Sequence, residues 1–208
     1  PFLDRLTRGT KLFWKNSELR GLMGLNLVVA STSAMVIINT VVLVQGHLGR
    51  PRTNVALLLG ANGAGSMIVA LMLPRLLDRR PDRRVMLAGG IALPILLVAG
   101  AATISFVSCS PQWWILMVLW TLVGMATSMV LTPSSRLLRR NSDEQTRPPI
   151  FTAQFSLSHA CFLIAYPIAG IAGAHIGLAA VALVLTVLGT IGLLGALAAW
   201  RTVLPRTP

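Results

Sequence analysis

The chain has 208 residues, of which 54% are hydrophobic and only 12% are charged. Soluble domains carry about 25% charged residues, so this composition excludes a soluble globule, and its apolar excess excludes a disordered chain. The net charge of +12 does not indicate a nucleic-acid partner, because the basic residues stand in short clusters between long apolar runs and form no single basic face. The composition therefore predicts an all-α membrane protein that contacts a lipid bilayer.

Residues 1–20 combine basic and apolar side chains. Phe2, Leu3 and Leu6 are followed by the apolar run 12–14, with Arg and Lys residues between them. This pattern predicts either an amphipathic helix on the cytoplasmic leaflet or a linker between two membrane bundles, and the sequence leaves both open. The segment has no continuous apolar core, so it does not resemble a signal peptide.

Six apolar stretches follow, each long enough for the roughly 20 residues that cross a bilayer core as a helix. They predict one bundle over residues 21–200, with spans at residues 21–45, 54–74, 85–107, 113–133, 150–176 and 178–200. The last two spans are nearly contiguous, so we expect them to form a tight antiparallel pair. Residues 201–208 would be a cytoplasmic tail.

The basic residues lie almost entirely on one side of the predicted bundle. Sixteen of the 18 Lys and Arg residues fall on the side of the two termini, and only Arg50 and Arg52 fall on the other. The positive-inside rule therefore predicts that both termini are cytoplasmic. Trp113 and Trp114 would belong to the aromatic belt at the outer surface and Trp200 to the belt at the inner surface.

The predicted spans contain no Asp, Glu, Lys or Arg, so the candidates for a substrate path are uncharged or weakly titrating polar side chains. In the first span Asn26, Ser33 and Thr40 repeat every seven residues, which predicts one shared helical face, and Asn39 lies beside them. In the fifth span we take as path candidates the polar and aromatic residues Gln154, Ser158, His159 and Tyr166.

Hydrogen bonding between helices is the alternative explanation of these polar residues, at about 0.6 kcal/mol per bond. We favour it for the serines and threonines and leave both interpretations open for Asn26, Gln154 and His159. His159 and Cys161 are soft-metal ligand types, but residues two apart point to different helix faces, so packing is the favoured interpretation. We predict no metal site, no cofactor and no catalytic residue.

The segment after the second span, residues 74–84, resembles the cytoplasmic signature of the major facilitator superfamily, Gly-x-Leu-x-Asp-Arg-x-Gly-Arg-Arg. The match is carried by Leu76, Asp78, Arg79 and Arg83. Two prolines, at positions 74 and 81, replace the glycines, and an aspartate at position 82 replaces an arginine. The superfamily carries a weaker copy of the signature between its eighth and ninth helices, so the degenerate form resembles the C-terminal six-helix half.

The resemblance implies a secondary transporter that moves a small solute through alternating access in a bacterial inner membrane, either as an efflux or as an uptake carrier, and we favour efflux. It also implies a second six-helix bundle upstream of Pro1, so that this chain would be a fragment of a longer protein. The four signature residues would form a cytoplasmic gate, in which Asp78 pairs with an arginine or a helix N-terminus. A homodimeric six-helix transporter, a metal-ion efflux carrier and, less favoured, an intramembrane enzyme stay open as alternatives.

Overall fold

The computed structural model describes residues 2–77, 80–107 and 110–201, with side chains from residue 9 onward except that of residue 76. These residues form helices joined by short turns, and no strand occurs among them. The helices are α1 (Phe2–Lys15), α2 (Ser17–Ala34), α3 (Arg52–Leu77), α4 (Asp82–Phe106), α5 (Ser110–Arg140), α6 (Arg147–Ile176) and α7 (Leu178–Arg201).

Two π-helical segments continue α2, at Met35–Asn39 and Val42–His47. With this extension α2 and each of α3 to α7 are long and apolar enough to cross a membrane. The predicted all-α membrane fold is therefore confirmed. The helices continue beyond the apolar stretches that predicted them, as α5 does on both sides of residues 113–133, because polar and basic residues extend a helix past the bilayer core.

Local side-chain chemistry sets the turns between helices. The Asn16 side chain accepts a hydrogen bond from the Glu18 amide at 2.9 Å and so starts α2. Between α5 and α6, the carboxylate of Asp143 accepts from the Thr146 hydroxyl at 2.7 Å and from its amide at 2.8 Å. These hydrogen bonds from Thr146 lower the pKa of Asp143 below its ordinary value. Gly177, with φ of 85°, alone separates α6 from α7.

The helices divide into a packed centre and two open edges. The most extensive contacts join α2 to α7 and α3 to α5, while α4 packs against both α5 and α7, and α6 packs against α2. Within the most apolar part of each helix, 67% of the residues of α2 are buried, against 22% in α3 and 17% in α6. Thus α3 and α6 are the edges of the bundle.

Glycines allow two of these helix pairs to touch backbone to backbone. A methyl group added at Gly192 of α7 would lie 2.6 Å from the carbonyl oxygen of Gly24 in α2, and one at Gly124 of α5 would collide with the backbone of Asn62 in α3. In lipid, helices gain little from hydrophobic burial against one another, so close van der Waals packing of this kind must hold them together. These two helix crossings, of α2 with α7 and of α3 with α5, therefore fix the relative positions of the helices in the bundle.

We predict that Gly192→Ala destabilises the protein by about 1–3 kcal/mol, the usual cost of overpacking a close contact. The matched control is Gly195→Ala, three residues further along α7, where an added methyl meets no atom within 4 Å. Thermal unfolding in detergent, followed by tryptophan fluorescence, would measure both. Equal melting temperatures for the two variants would contradict the assignment of Gly192 to the crossing.

Candidate functional site

The polar residues of α2 are largely enclosed by the bundle. Asn26 is 3% exposed, Asn39 is 2% exposed and Thr40 is fully buried, whereas Ser33 is partly exposed. The Asn39 side-chain amide donates to the carbonyl oxygen of Ala169 in α6 at 3.3 Å. Asn39 therefore ties α2 to one edge helix of the bundle.

Thr40 joins α2 to α5 by a hydrogen bond between side chains. Its hydroxyl accepts a hydrogen bond from the Trp120 indole of α5 at 3.0 Å and donates to the Val36 carbonyl within α2. Trp120 is itself only 3% exposed, so its indole N–H has to find a partner inside the protein. In this structure Thr40 and Asn39 make hydrogen bonds between helices.

The seven-residue repeat does not carry through α2, because its first π-helical segment lies between Ser33 and Thr40. A π-helical turn bonds residue i to i+5 and so takes up an extra residue. Residues after the segment are displaced around the helix axis relative to those before it. This displacement accounts for the different surroundings of Ser33 and Thr40. No feature of the sequence predicted the π-helical segment.

Two amide side chains have buried atoms without a hydrogen-bond partner among the described residues: Asn26 through Nδ2 and Gln154 through Oε1. Asn26 follows Gly24 by two residues, about 200° further around the helix, so it faces away from α7. Gln154 lies on α6 and is partly exposed. A buried polar atom without a partner costs about 1–3 kcal/mol, which is a reason to consider a functional role.

Two further candidates on α6, His159 and Tyr166, belong to a run of rings that we call the aromatic stripe: Phe155, His159, Phe162 and Tyr166. The ring centroids are 4.1 Å apart for Phe155 and His159, 6.1 Å for His159 and Phe162, and 5.4 Å for Phe162 and Tyr166. Phe155 is 65% exposed, and His159 is exposed as well. The stripe therefore offers an amphiphilic surface at an open edge.

Local hydrogen bonds orient the polar groups beside this stripe. His159 Nδ1 lies 2.8 Å from the Phe155 carbonyl oxygen, and a carbonyl only accepts, so this contact places the ring proton on Nδ1. In the neutral ring Nε2 is then left as an acceptor. The Ser158 hydroxyl donates to the same carbonyl at 2.9 Å.

The arrangement does not bring metal ligands together in the part of the chain described. His159 is exposed on α6, whereas Cys161 is 3% exposed and faces the packed side. Among the described residues no group of three His, Cys, Asp or Glu side chains could hold an ion.

Of the four candidate gate residues, the structure describes the side chain of Arg83 alone. Asp78 and Arg79 lie outside the described residues, as does the side chain of Leu76. Arg83, at the start of α4, donates to the Trp200 carbonyl oxygen at the end of α7 and places its guanidinium 5.2 Å from the Trp200 ring centroid. In this conformation Arg83 joins two helices of the same bundle.

Trp200 is the centre of a cluster of polar contacts that the sequence did not predict. It was expected in an aromatic belt, but it is 1% exposed and its indole donates to the Glu18 carbonyl oxygen at 3.0 Å. The Glu18 carboxylate in turn pairs with Arg140 at 3.0 Å, and the buried Asp82 lies 3.7 Å from Arg136. Glycine at position 21 makes room for the indole, a long-range pairing that no local pattern shows.

We call the end of the bundle with this cluster, where α2 begins and α7 ends, the basic end. Polar contacts there join α2, α4, α5 and α7. At the opposite end Arg50 lies over the Trp113 ring at 4.7 Å. Trp113 is 5% exposed and so, like Trp200, does not stand in an aromatic belt, whereas Trp114 is 67% exposed.

The fold thus defines a multi-pass α-helical membrane protein with two open edges. A sequence model of the Major Facilitator Superfamily matches residues 23–208. The chain therefore belongs to the Major Facilitator Superfamily, and its six apolar helices fit one half of such a carrier. No curated protein and no solved structure matches it significantly. Because the superfamily consists of transporters that bind small molecules within the membrane, this is a transport protein and not an enzyme.

We predict that Thr40→Val lowers the free energy of unfolding by about 1 kcal/mol, because it leaves the buried Trp120 indole N–H without its partner. Thr186→Val is the matched control, since the Thr186 hydroxyl bonds only within α7, to the Ala182 carbonyl. Chemical denaturation in mixed micelles would compare the two. A loss no larger for Thr40→Val than for the control would contradict the interhelical role.

Proposed function

We propose that the chain is the C-terminal six-helix bundle of a secondary transporter that exports a small amphiphilic solute by alternating access, and that a second six-helix bundle lies upstream of Pro1. The observation that carries this proposal is the openness of α3 and α6, which are the two least buried membrane helices. In such carriers the substrate site lies between two bundles that rock against each other.

The surface of α3 suits contact with another helix. Ala56, Gly60 and Gly63 are all exposed, and their spacing of four and then three residues places them on one face. A methyl group added at either glycine meets nothing within 4 Å. Small residues permit the close backbone approach that membrane helix packing needs, so this face supports docking of the second bundle.

We assign the substrate path to the polar groups of α2 and α6. Asn26 and Gln154 contribute buried amide atoms that lack a protein partner among the described residues. Ser33, Ser158, His159 and Tyr166 would supply further polar contacts, while Asn39 and Thr40 would hold the helices that form the wall. The spans carry no charged residue at membrane depth, which favours a neutral or weakly cationic substrate.

For orientation we propose that the basic end faces the cytoplasm of a bacterial cell, with the protein in the inner membrane. Support comes from the charge distribution, because the predicted spans leave sixteen of the 18 Lys and Arg residues on the side of the two termini. Export would then move the solute from the basic end towards the end that carries Arg50 and Trp113.

We predict that His159→Phe and Gln154→Leu each reduce transport about fivefold, the effect of one lost hydrogen bond of about 1 kcal/mol. The probe is efflux of a fluorescent, weakly cationic amphiphile from cells that express the whole protein. His175→Phe is the matched control, because it makes the same replacement near the far end of α6. If both path variants transport as the control does at equal expression, α6 does not line the path.

For the signature segment we propose a gate in which Asp78 helps to hold the cytoplasmic side closed. Asp78→Asn removes the charge that would pair with an arginine or a helix N-terminus, so we predict a shift towards the conformation open to the cytoplasm. Labelling of introduced cysteines in the path by a membrane-impermeant maleimide would measure this shift.

The control for the gate is Asp143→Asn, which removes a charge from an exposed loop at the same end of the bundle. We expect labelling from the cytoplasmic side to rise at least twofold for Asp78→Asn and to stay at the wild-type level for the control. The same labelling in both variants would contradict the gate.

A further inference from the structure

A groove of about 570 Å³ opens on the side of the bundle at its basic end. Its floor is formed by Gly24 and Leu27 of α2, and its walls by Ile164 of α6 and by Ile191 and Gly195 of α7. Trp14 of α1 and Arg20 at the start of α2 stand at one end of it. Apart from Arg20, the residues that line the groove carry no charge.

The groove results from how α6 and α7 are connected. The two helices join at Gly177, at the opposite end of the bundle. They do not form the tight antiparallel pair expected from the sequence, because they pack against each other far less than α7 packs against α2. At the basic end α1 lies against the start of α6, where Gly9 touches Pro149. A lateral gap therefore stays open between α6 and α7, with α2 beneath it.

The groove does not belong to the surface assigned to the substrate path. Ile164 lines the groove, whereas Phe162 and Tyr166 of the aromatic stripe stand two residues away on either side, about 200° around the helix. The stripe and the groove thus occupy opposite flanks of α6. The groove opens on the side of α7, away from the stripe.

The basic side chains at the mouth of the groove indicate that a ligand bound there would carry a negative charge. Arg20 is exposed, and its guanidinium has no hydrogen bond or ion pair to any other described residue. It stands directly before the apolar run of α2, which is the headgroup level of a bilayer. Trp14 is 49% exposed, and Lys11, three residues earlier on α1, lies on the same face of that helix.

We propose that this groove binds an anionic phospholipid from the leaflet at the basic end. One acyl chain lies along the apolar walls between α6 and α7, and the phosphate is held by Arg20 with support from Lys11. The Trp14 ring sits at the interface above the chain, as amphipathic rings do. Basic pockets between membrane helices on the cytoplasmic side are a known setting for anionic headgroups.

The test is native mass spectrometry of the whole protein in a non-ionic detergent, titrated with phosphatidylglycerol or with phosphatidylcholine. Arg20→Gln should weaken phosphatidylglycerol binding about fivefold, the value of one basic residue near an anionic surface, and leave phosphatidylcholine binding as it was. Arg139→Gln is the matched control, because it removes an exposed charge at the same end but outside the groove.

A second pair of variants tests the location. Gly195 lines the groove, and a Cβ atom added there meets no atom within 4 Å, so the larger side chain of Gly195→Leu should reduce retention of both lipids, and Gly195→Ala should have a smaller effect. Unchanged retention in Gly195→Leu overturns the groove as the site. An equal effect of Arg20→Gln and Arg139→Gln, or a loss that is the same for both lipids, overturns the anionic specificity. Loss of transport in Gly195→Leu with full lipid retention would make the groove a substrate route and overturn the proposal.

Discussion

Direct contact between helix backbones is the constraint on which the rest of this bundle depends. At the α2–α7 crossing Gly24 and Gly192 leave no room for a side chain, and Gly65 and Gly124 do the same where α3 crosses α5. Lipid gives helices little hydrophobic reason to associate, so these crossings and the polar contacts around Trp200 have to position the helices. Once both pairs are fixed, α3 and α6 are left as the open edges, and that openness is the observation on which the proposed two-bundle carrier rests.

The polar residues of the predicted path fall into two groups, those that join helices by hydrogen bonds and those that are exposed at an open edge. The side chains of Asn39 and Thr40 form hydrogen bonds with Ala169 and Trp120. These bonds leave them little remaining capacity to hydrogen-bond a solute. The α6 candidates lie at an open edge, with a ring surface and an imidazole acceptor exposed. We therefore propose that recognition lies mainly on α6 and on the amide of Asn26, whose Nδ2 has no hydrogen-bond partner in the part of the chain described. The lateral groove on the other flank of α6 is a separate surface, suited to lipid.

The number and type of the spans follow from composition, because about 20 apolar residues without charge have few other stable arrangements. Residues 2–15, left open as helix or linker, form α1. The π-helical segments of α2 could not be predicted, since they depend on packing and have no residue signature. The burial of Trp200 was also missed, because it pairs residues 182 positions apart. Arg83 was recognised from its motif, but its contact with Trp200 was not, for the same reason.

The most direct test of the account is the intact mass of the native polypeptide that contains this sequence, measured after extraction from membranes. The proposed two-bundle carrier predicts a single chain of about twice 22.2 kDa with a second set of six spans before residue 1. A native chain of 22.2 kDa that transports as a homodimer would contradict it. The open edges of α3 and α6 would then face a second copy of this chain.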